Sequence, residues 1–335
     1  MAKYTIGDLW DPEIWKQAME ELPHTFAHLM NSRAFTHDDE LLDDLCNGPG
    51  VGVIMPFLKD ITDQKDAAQR EGVPIAKQGG GSGVAYAISL EREIANSSTA
   101  MAAQRSGTQP LDHVLKYLVL RRLKNRQETF LSMLRGMFDT ALEDNVTTAF
   151  NEAGSNPSAD QMIDEHKIID TAALTGEIIT ETAGTSVWMH TLIRAALRKL
   201  DKDSFKTEST DGGLTIPTYK GMPIYASDKL ARAGTTDGIV FDTYLLKDGV
   251  VRAGEKEQVV DKVDVASLQY DPDFSLNEES VNDRTRFAYH VDGMKYNGPV
   301  SSETPEDATL ADGSNWSLEY GTAALVGALC IKTNG

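Results

Sequence analysis

The feature that most constrains the fold is a run of about forty residues, 111–150, that contains no proline and one glycine, Gly136. Its apolar residues recur at the three- and four-residue spacing of one helix face. A helix over the whole run, at about 1.5 Å per residue, would be about 60 Å long. We therefore expect it to run along the outside of an extended body. The apolar positions are Leu111, Val114, Leu115, Leu118, Phe130, Leu131, Leu134, Met137, Phe138 and Leu142.

A basic cluster, Arg121, Arg122, Lys124 and Arg126, lies near the middle of this run. The chain as a whole is acidic, with 32 Lys and Arg, 51 Asp and Glu, and a net charge of −19. So acidic a surface repels phosphate, which argues against an outer face that grips nucleic acid by charge. The cluster has two interpretations: a solvated helix face, or arginines (Arg121, Arg122, Arg126) that pair with acidic groups of another subunit.

Before this run, the pattern predicts a long β-hairpin. The turn sequence NGPG at 47–50 precedes an extended run, VGVIMPFL, and a polar stretch leads through clustered glycines to a second extended run, VAYAISLERE. Such a hairpin has no core of its own and must lie on something. The apolar candidates for inter-subunit contact are Val53, Ile54, Met55 and Phe57, and the hinge candidates are Gly50, Gly80 and Gly83.

The first 45 residues mix acidic runs with aromatic side chains. Asp11-Pro12 predicts a short helix through EIWKQAMEEL. This helix either packs Trp15 on the body of its own chain or belongs to an arm that docks on a neighbour, with Trp10, Trp15 and Met30 as contacts. The segment lacks the basic and apolar regions of a signal peptide, and no window approaches a membrane span, so we expect a soluble, non-secreted protein.

Beyond Asn151 the pattern becomes mixed α/β. It predicts a short helix in MIDEHKIIDTAALTG, a buried strand at SVWMH, and a helix at TLIRAALRKL. Two strands are expected around Lys220-Gly221, then a strand, turn and strand in GIVFDTYLLKDGVVRAG, and a buried final strand in AALVGALCIKT. No internal repeat is visible, and no linker separates independent domains.

No motif in the chain supports catalysis. The phosphate-binding sequence GxxxxGK[ST] is missing, and Ser82 does not stand in a GxSxG elbow. Cys46 and Cys330 lack metal-ligand spacing and fit a reducing cytosol. His24 and His28 are four residues apart, but the glutamate of HExxH is missing. We expect no enzyme, cofactor or metal site; a metal-dependent hydrolase using the two histidines is the weakest hypothesis.

The order of elements, namely arm, hairpin, long helix, α/β lobe and returning strands, resembles the major capsid protein of tailed double-stranded-DNA phages. The resemblance extends from about residue 45 to the end and includes SGTQPLDHV before the long helix. Asp242 stands where a tyrosine is more usual in the pattern. The residues that match its motifs are Thr218, Tyr219, Gly221, Ile224 and Asp228, then Arg284, Phe287, His290 and Gly293, and finally Asn315-Trp316.

The resemblance implies the α+β capsid fold named after the Hong Kong phage. The parts expected from it are an N-terminal arm (1–45), an E-loop and its base (46–108), a spine helix of the P-domain (109–150), an A-domain (151–262), P-domain strands (263–305) and a C-terminal segment that returns to the A-domain (306–335). Under this division, removing residues 1–40 should leave folded subunits that form no durable particles.

The resemblance also implies a structural role. Subunits would assemble as pentamers and hexamers into an icosahedral head, in the host bacterial cytoplasm, around DNA bound without sequence specificity. Expected partners are a portal protein, a decoration protein and, because the hairpin begins within about 50 residues of Met1, a separate scaffolding protein. Lys77 has no matched partner for a covalent cross-link, so we expect non-covalent locking. The alternative is an encapsulin-type protein compartment of the same fold.

Overall fold

The structure is a computed structural model. It describes residues 29–37, 39–58, 81–99, 110–150, 158–175, 185–209, 215–233, 238–255, 268–273, 278–299 and 304–334. Within these ranges no helix is both long enough and apolar enough to cross a bilayer.

The described residues form short helices, one long helix, and strands in two sheets. The helices are α1 (Glu40–Asn47), α2 (Pro110–Gly136), α3 (Glu165–Ala173), α4 (Thr191–Leu200) and α5 (Asp307–Leu310). The strands are β1 (Phe35–Thr36), β2 (Gly52–Leu58), β3 (Ser82–Thr99), β4 (Val146–Ala149), β5 (Thr185–Met189), β6 (Phe205–Ser209), β7 (Thr215–Tyr219), β8 (Met222–Ala226), β9 (Ala231–Ala233), β10 (Ile239–Lys247), β11 (Val251–Glu255), β12 (Leu268–Asp273), β13 (Glu278–Val291), β14 (Met294–Tyr296), β15 (Trp316–Leu318) and β16 (Ala328–Thr333).

The first sheet is built around the long antiparallel strands β3 and β13, which pair from Glu278 opposite Thr99 to Ala288 opposite Ser89. On the β13 side lie β11, β1 and β12, and on the β3 side lie β14, β15 and β2. Helix α1 covers one face of this sheet, where its Leu42 packs directly against Gly254 of β11. A side chain at position 254 would clash with α1, so the glycine permits the close approach.

The second sheet has the strand order β4-β16-β10-β5-β8-β7-β6, with β9 beside β10. Its central strand β5 is buried along its whole length. Val187 and Met189 join Ile193 and Leu197 of α4 in one core cluster, while Trp188 faces the opposite cluster that contains α2. The predicted buried strand and the helix after it are confirmed, and burial on both faces explains the consecutive apolar residues 187–189.

The two sheets are joined by the turn between β10 and β11. The predicted strand, turn and strand are confirmed, but β10 belongs to the second sheet and β11 to the first. The chain changes sheet at Gly249, whose φ is +74° and whose N–H donates to Arg33 O at 2.9 Å. This positive φ favours glycine.

Aromatic side chains fuse the two sheets and α2 into one core. The Phe35 ring lies 4.9 Å from Phe130 of α2, 5.9 Å from Trp188 and 5.9 Å from Tyr289, measured between centroids. Leu29 is fully buried and Met30 is 7% exposed in the same core. Residues 29–37 therefore belong to the body of the subunit, and Met30, which we expected at an inter-subunit contact, is covered by its own chain.

The long helix is shorter than its apolar periodicity predicted. Helix α2 ends at Gly136 and is followed by a π-helical turn, Met137–Ala141, and then by β4 at Val146–Ala149. The forty-residue helix is therefore wrong, and so is an exterior course for its second half, because eight of the ten residues 129–138 are buried.

The helix ends where the C-terminal segment crosses it. A Cβ at Gly136 would lie 2.2 Å from the carbonyl oxygen of Leu310. The Trp316 indole N–H donates to that oxygen at 2.8 Å, and the Asn315 amide donates to Thr309 O at 2.8 Å. These two hydrogen bonds hold the segment after α5 against the helix at Gly136, which is the one glycine in the run 111–150.

Two further motif segments have structural explanations. Lys220 and Gly221 have φ values of +51° and +84°, so the predicted strands β7 and β8 meet in a two-residue turn. His190 ends β5 and caps α4, because its Nδ1 accepts the N–H of Leu192 at 3.1 Å. Asp228 lies beside it, 3.8 Å from His190 Nε2, and accepts the hydroxyl of Thr191.

Candidate inter-subunit surface

The predicted hairpin has two chemically distinct faces. Its strands β2 and β3 pair antiparallel from Gly52 opposite Ile88 to Leu58 opposite Ser82. Side chains alternate along a strand, so odd-numbered residues of both strands share one face and even-numbered residues the other. The odd face carries Val53, Met55, Phe57, Gly83, Ala85 and Ala87; the even face carries Ile54, Pro56, Val84 and Tyr86.

The odd face rests on the subunit's own body. Met55, Ala85 and Ala87 are buried against Leu42, Leu45 and Cys46 of α1, and Val53 and Phe57 pack at the edge of this cluster. Helix α1 thus supplies the support that the hairpin sequence lacks. Among the predicted contacts, Met55 is only 9% exposed, so its side chain is already used within the subunit.

The even face leaves apolar surface uncovered. Ile54 is 61% exposed and Val84 is 41% exposed. The exposed Pro56 lies next to Ile54 on the same face of β2 and directly opposite Val84 of β3. We call these three residues the outer hairpin face. Neighbouring exposed apolar side chains give this face the apolar surface that an interaction site needs. Among the predicted hairpin contacts, Ile54 therefore keeps the most side-chain surface available to a partner.

The hinge candidates that the structure describes are both held in place. Gly83 lies in β3, and a Cβ there would be 2.3 Å from the Phe57 ring, so its glycine makes room for that ring. The Gly50 carbonyl accepts a hydrogen bond from Arg286. Neither glycine has a positive φ. Gly80, Trp10 and Trp15 lie outside the described residues.

The basic cluster of α2 divides into exposed and buried members. Arg121 and Lys124 are exposed, which fits a solvated face, whereas Arg122 is 2% exposed and Arg126 is 6% exposed. Arg126 forms a two-pronged ion pair with Glu255 of its own chain, with N–O distances of 2.6 and 2.7 Å. Burial acts to raise the pKa of Glu255, but Arg126, Arg122 and His37 together outweigh it, so the pKa lies below its ordinary value.

Sequence reasoning missed two residues of this region. Val84 completes the outer hairpin face, and Arg286 donates hydrogen bonds to the carbonyls of Gly48 and Gly50, just before β2. The signal for Arg286 was present, because Arg284 and Arg286 alternate along β13 opposite Glu93 and Glu91 of β3. Opposite charges at the same two-residue period indicate directly paired strands. The matched motif contains Arg284 and not Arg286, although the Arg284 side chain is 60% exposed.

The described titratable groups show no reactive arrangement. Burial raises the pKa of the Cys46 thiol to about 12, and it also raises that of Cys330, so neither favours a thiolate. Asp242 is 1% exposed, 3.4 Å from Arg135 and 3.5 Å from Arg232; burial raises its pKa in spite of both arginines.

In the described ranges, no three His, Cys, Asp or Glu residues cluster to hold a metal. His24 and His28 lie outside those ranges.

No protein-family model matches the chain, and no curated protein matches its sequence significantly. Solved structures do match its fold. The capsid of Ralstonia phage GP4 superposes with a TM-score of 0.58 and 12% identity, covering 91% of this chain and 88% of that one. A chain of the cyanophage Pam1 capsid gives 0.55 and 8%, covering 90% and 88%. The capsid of a native GTA particle gives 0.55 and 10%, covering 93% and 91%.

These similarities extend over about nine-tenths of each chain, so they concern the whole architecture and not one sheet. At 8–12% identity they establish a shared fold. The α+β capsid fold predicted from the order of elements is therefore confirmed.

Proposed function

We propose that this chain is the major capsid subunit of a tailed phage, which assembles with copies of itself, as pentamers and hexamers, into an icosahedral shell around double-stranded DNA. The observation that carries the proposal is the match to phage capsid structures over about 90% of both chains. A fold does not by itself establish a function. The proposal therefore also rests on a surface suited to self-association.

That surface is the outer hairpin face. Within the subunit, one side of the hairpin is buried against α1, while Ile54 and Val84 on the other side are exposed. In a shell, a second copy of this chain would cover them with an apolar surface of its own. Among the described strands, β2 pairs only with β3, so its other edge can take part in further contacts.

The charge of the chain supports DNA as the content. With a net charge of −19, most of the surface repels phosphate. A shell wall of this kind encloses a genome without gripping it, and packing or release of the DNA is then not opposed by tight binding. Portal, scaffolding and decoration proteins are the further partners of such a shell, and the virion is its location.

Sedimentation and content analysis test this proposal. The full chain is expressed alone and with the product of a neighbouring scaffold-like gene, and material sedimenting as particles is treated with nuclease and then opened. We expect large particles, with protected DNA when the packaging components are present. Particles that instead enclose a specific enzyme would indicate the encapsulin-type compartment. Small oligomers under every condition would contradict both.

A further inference from the structure

The root of the hairpin is the short segment between α1 and β2. Helix α1 ends at Asn47, and the Gly48 N–H donates to Asp44 O at 2.9 Å, which closes the last turn. Strand β2 begins at Gly52. The backbone of residues 48–51 is therefore one of two connections between the hairpin and the body; the other is β3, which continues directly into its pairing with β13.

One side chain from the centre of the first sheet holds this backbone. Arg286 of β13 donates from Nη1 to the Gly48 carbonyl at 2.5 Å and from Nη2 to the Gly50 carbonyl. The same Nη2 donates to Ser89 Oγ at 3.1 Å. Ser89 in turn donates to the Val51 carbonyl, from its N–H at 2.8 Å and from its hydroxyl at 3.2 Å.

The chemistry of this contact requires an arginine. The planar guanidinium carries several N–H groups in a fixed fork, which lets one side chain reach two backbone carbonyls and a hydroxyl together. A lysine would present one ammonium on a flexible stem. The Arg286 side chain is 16% exposed and its Nε lies 3.3 Å from Glu91 Oε1, so the fork is also anchored across to β3.

We infer that Arg286 is a positioning residue for assembly: it fixes the direction in which the hairpin leaves the body, and thereby where the outer hairpin face meets the next subunit. This inference rests on the proposed shell function. In a closed shell every subunit must present this face at a compatible angle, and the Arg286 fork, together with the Ser89 bonds to Val51, holds the root in one conformation.

The test compares Arg286→Gln and Arg286→Lys with Arg284→Gln. Arg284 is a matched control because it lies two residues away on β13 and pairs with Glu93 at 3.0 Å, but it contacts no residue of the root. Each full-length variant is measured by hydrogen exchange at residues 52–58 as the free subunit, and by electron microscopy after assembly.

For Arg286→Gln we expect native circular dichroism, at least tenfold faster exchange in β2, and shells of broad or aberrant diameter. Arg286→Lys should lie between this variant and wild type, and Arg284→Gln should match wild type. Wild-type exchange and wild-type shell diameters in Arg286→Gln would overturn the inference. If that variant does not fold, the same criteria apply to Arg286→Lys. If the wild-type chain forms no shells, the proposed function fails, and the exchange data alone decide whether Arg286 holds the root.

Discussion

The ring of Phe35 stacks on the indole of Trp188, with centroids 5.9 Å apart and planes inclined by 12°. This contact joins a segment near the N-terminus to the central strand of the second sheet. Phe35 also pairs with Val251 through β1 and β11, in the first sheet. A segment that we expected to belong to an arm is therefore part of what holds the two sheets together.

Truncation tests this assignment. Deleting residues 1–28 should leave a folded subunit, whereas deleting residues 1–40 should unfold it, because it removes the buried Leu29, Met30, Ala34 and Phe35. Losing two large core side chains alone costs more than about 5 kcal/mol, which is comparable to the whole stability of many domains. Urea denaturation of both truncations measures the difference. Equal stability of the two would contradict the assignment and restore the arm that the sequence suggested.

Gly136 provides a test of the crossing over α2. Ala normally stabilises a helix interior by about 1 kcal/mol relative to Gly. Here Gly136→Ala should destabilise the subunit, by about 1–3 kcal/mol, because the new Cβ would meet the Leu310 carbonyl. Ser132→Ala, one turn earlier and half-buried, is the control and should be close to neutral. A Gly136→Ala variant as stable as wild type would show that the C-terminal segment does not cross there.

The stability of the subunit should depend on pH through His290. This residue is 3% exposed and faces Arg252 and Asp39; burial, with help from Arg252, lowers its pKa to about 4. The unfolded chain takes up a proton at this histidine near pH 6.5, whereas the folded subunit takes it up only near pH 4. The contribution of neutral His290 to the free energy of unfolding is therefore present above about pH 6.5 and is lost as the pH falls toward 4. The loss attributable to His290 is at most about 3 kcal/mol.

Denaturation of wild type and His290→Gln at several pH values measures this contribution. The variant should show a flatter profile than wild type between pH 6.5 and 4. An identical pH slope in wild type and His290→Gln would contradict the assignment.

The two hairpin faces should separate stability from assembly. Ile54→Asp should lower the unfolding free energy of the subunit by no more than about 1 kcal/mol, since the side chain is 61% exposed, but should block particle formation. Met55→Ala should cost about 2–4 kcal/mol in the free subunit, because it opens the cluster against α1.

Ile54→Leu, which keeps the apolar surface, is the matched control and should assemble normally. Normal particles from Ile54→Asp would show that the outer hairpin face is not an inter-subunit contact.

Local patterns predicted much of the fold. The buried strand β5, helix α4 and the turn at Lys220-Gly221 are each encoded by neighbouring residues, as apolar runs, helical spacing or turn-forming types. The end of α2 could not be predicted in this way. The apolar spacing continues through Met137 and Phe138, and the space for a side chain at Gly136 is taken by the Leu310 carbonyl and the Trp316 indole, both distant in sequence.

The candidate surface was predicted less well, for a related reason. The hairpin strands were recognisable, but which of Val53, Ile54, Met55 and Phe57 remains exposed depends on α1, whose position no local pattern encodes. The buried arginine Arg126 was ambiguous for the same reason. Its partner Glu255 comes from the end of β11, on the other side of the helix–sheet contact.

Electron microscopy of the particles formed by the full chain tests the central claim most directly. We predict closed shells of uniform diameter, in which Ile54 of each subunit is covered by a neighbouring copy. Discrete small oligomers, or shells in which the outer hairpin face remains in solvent, would contradict it.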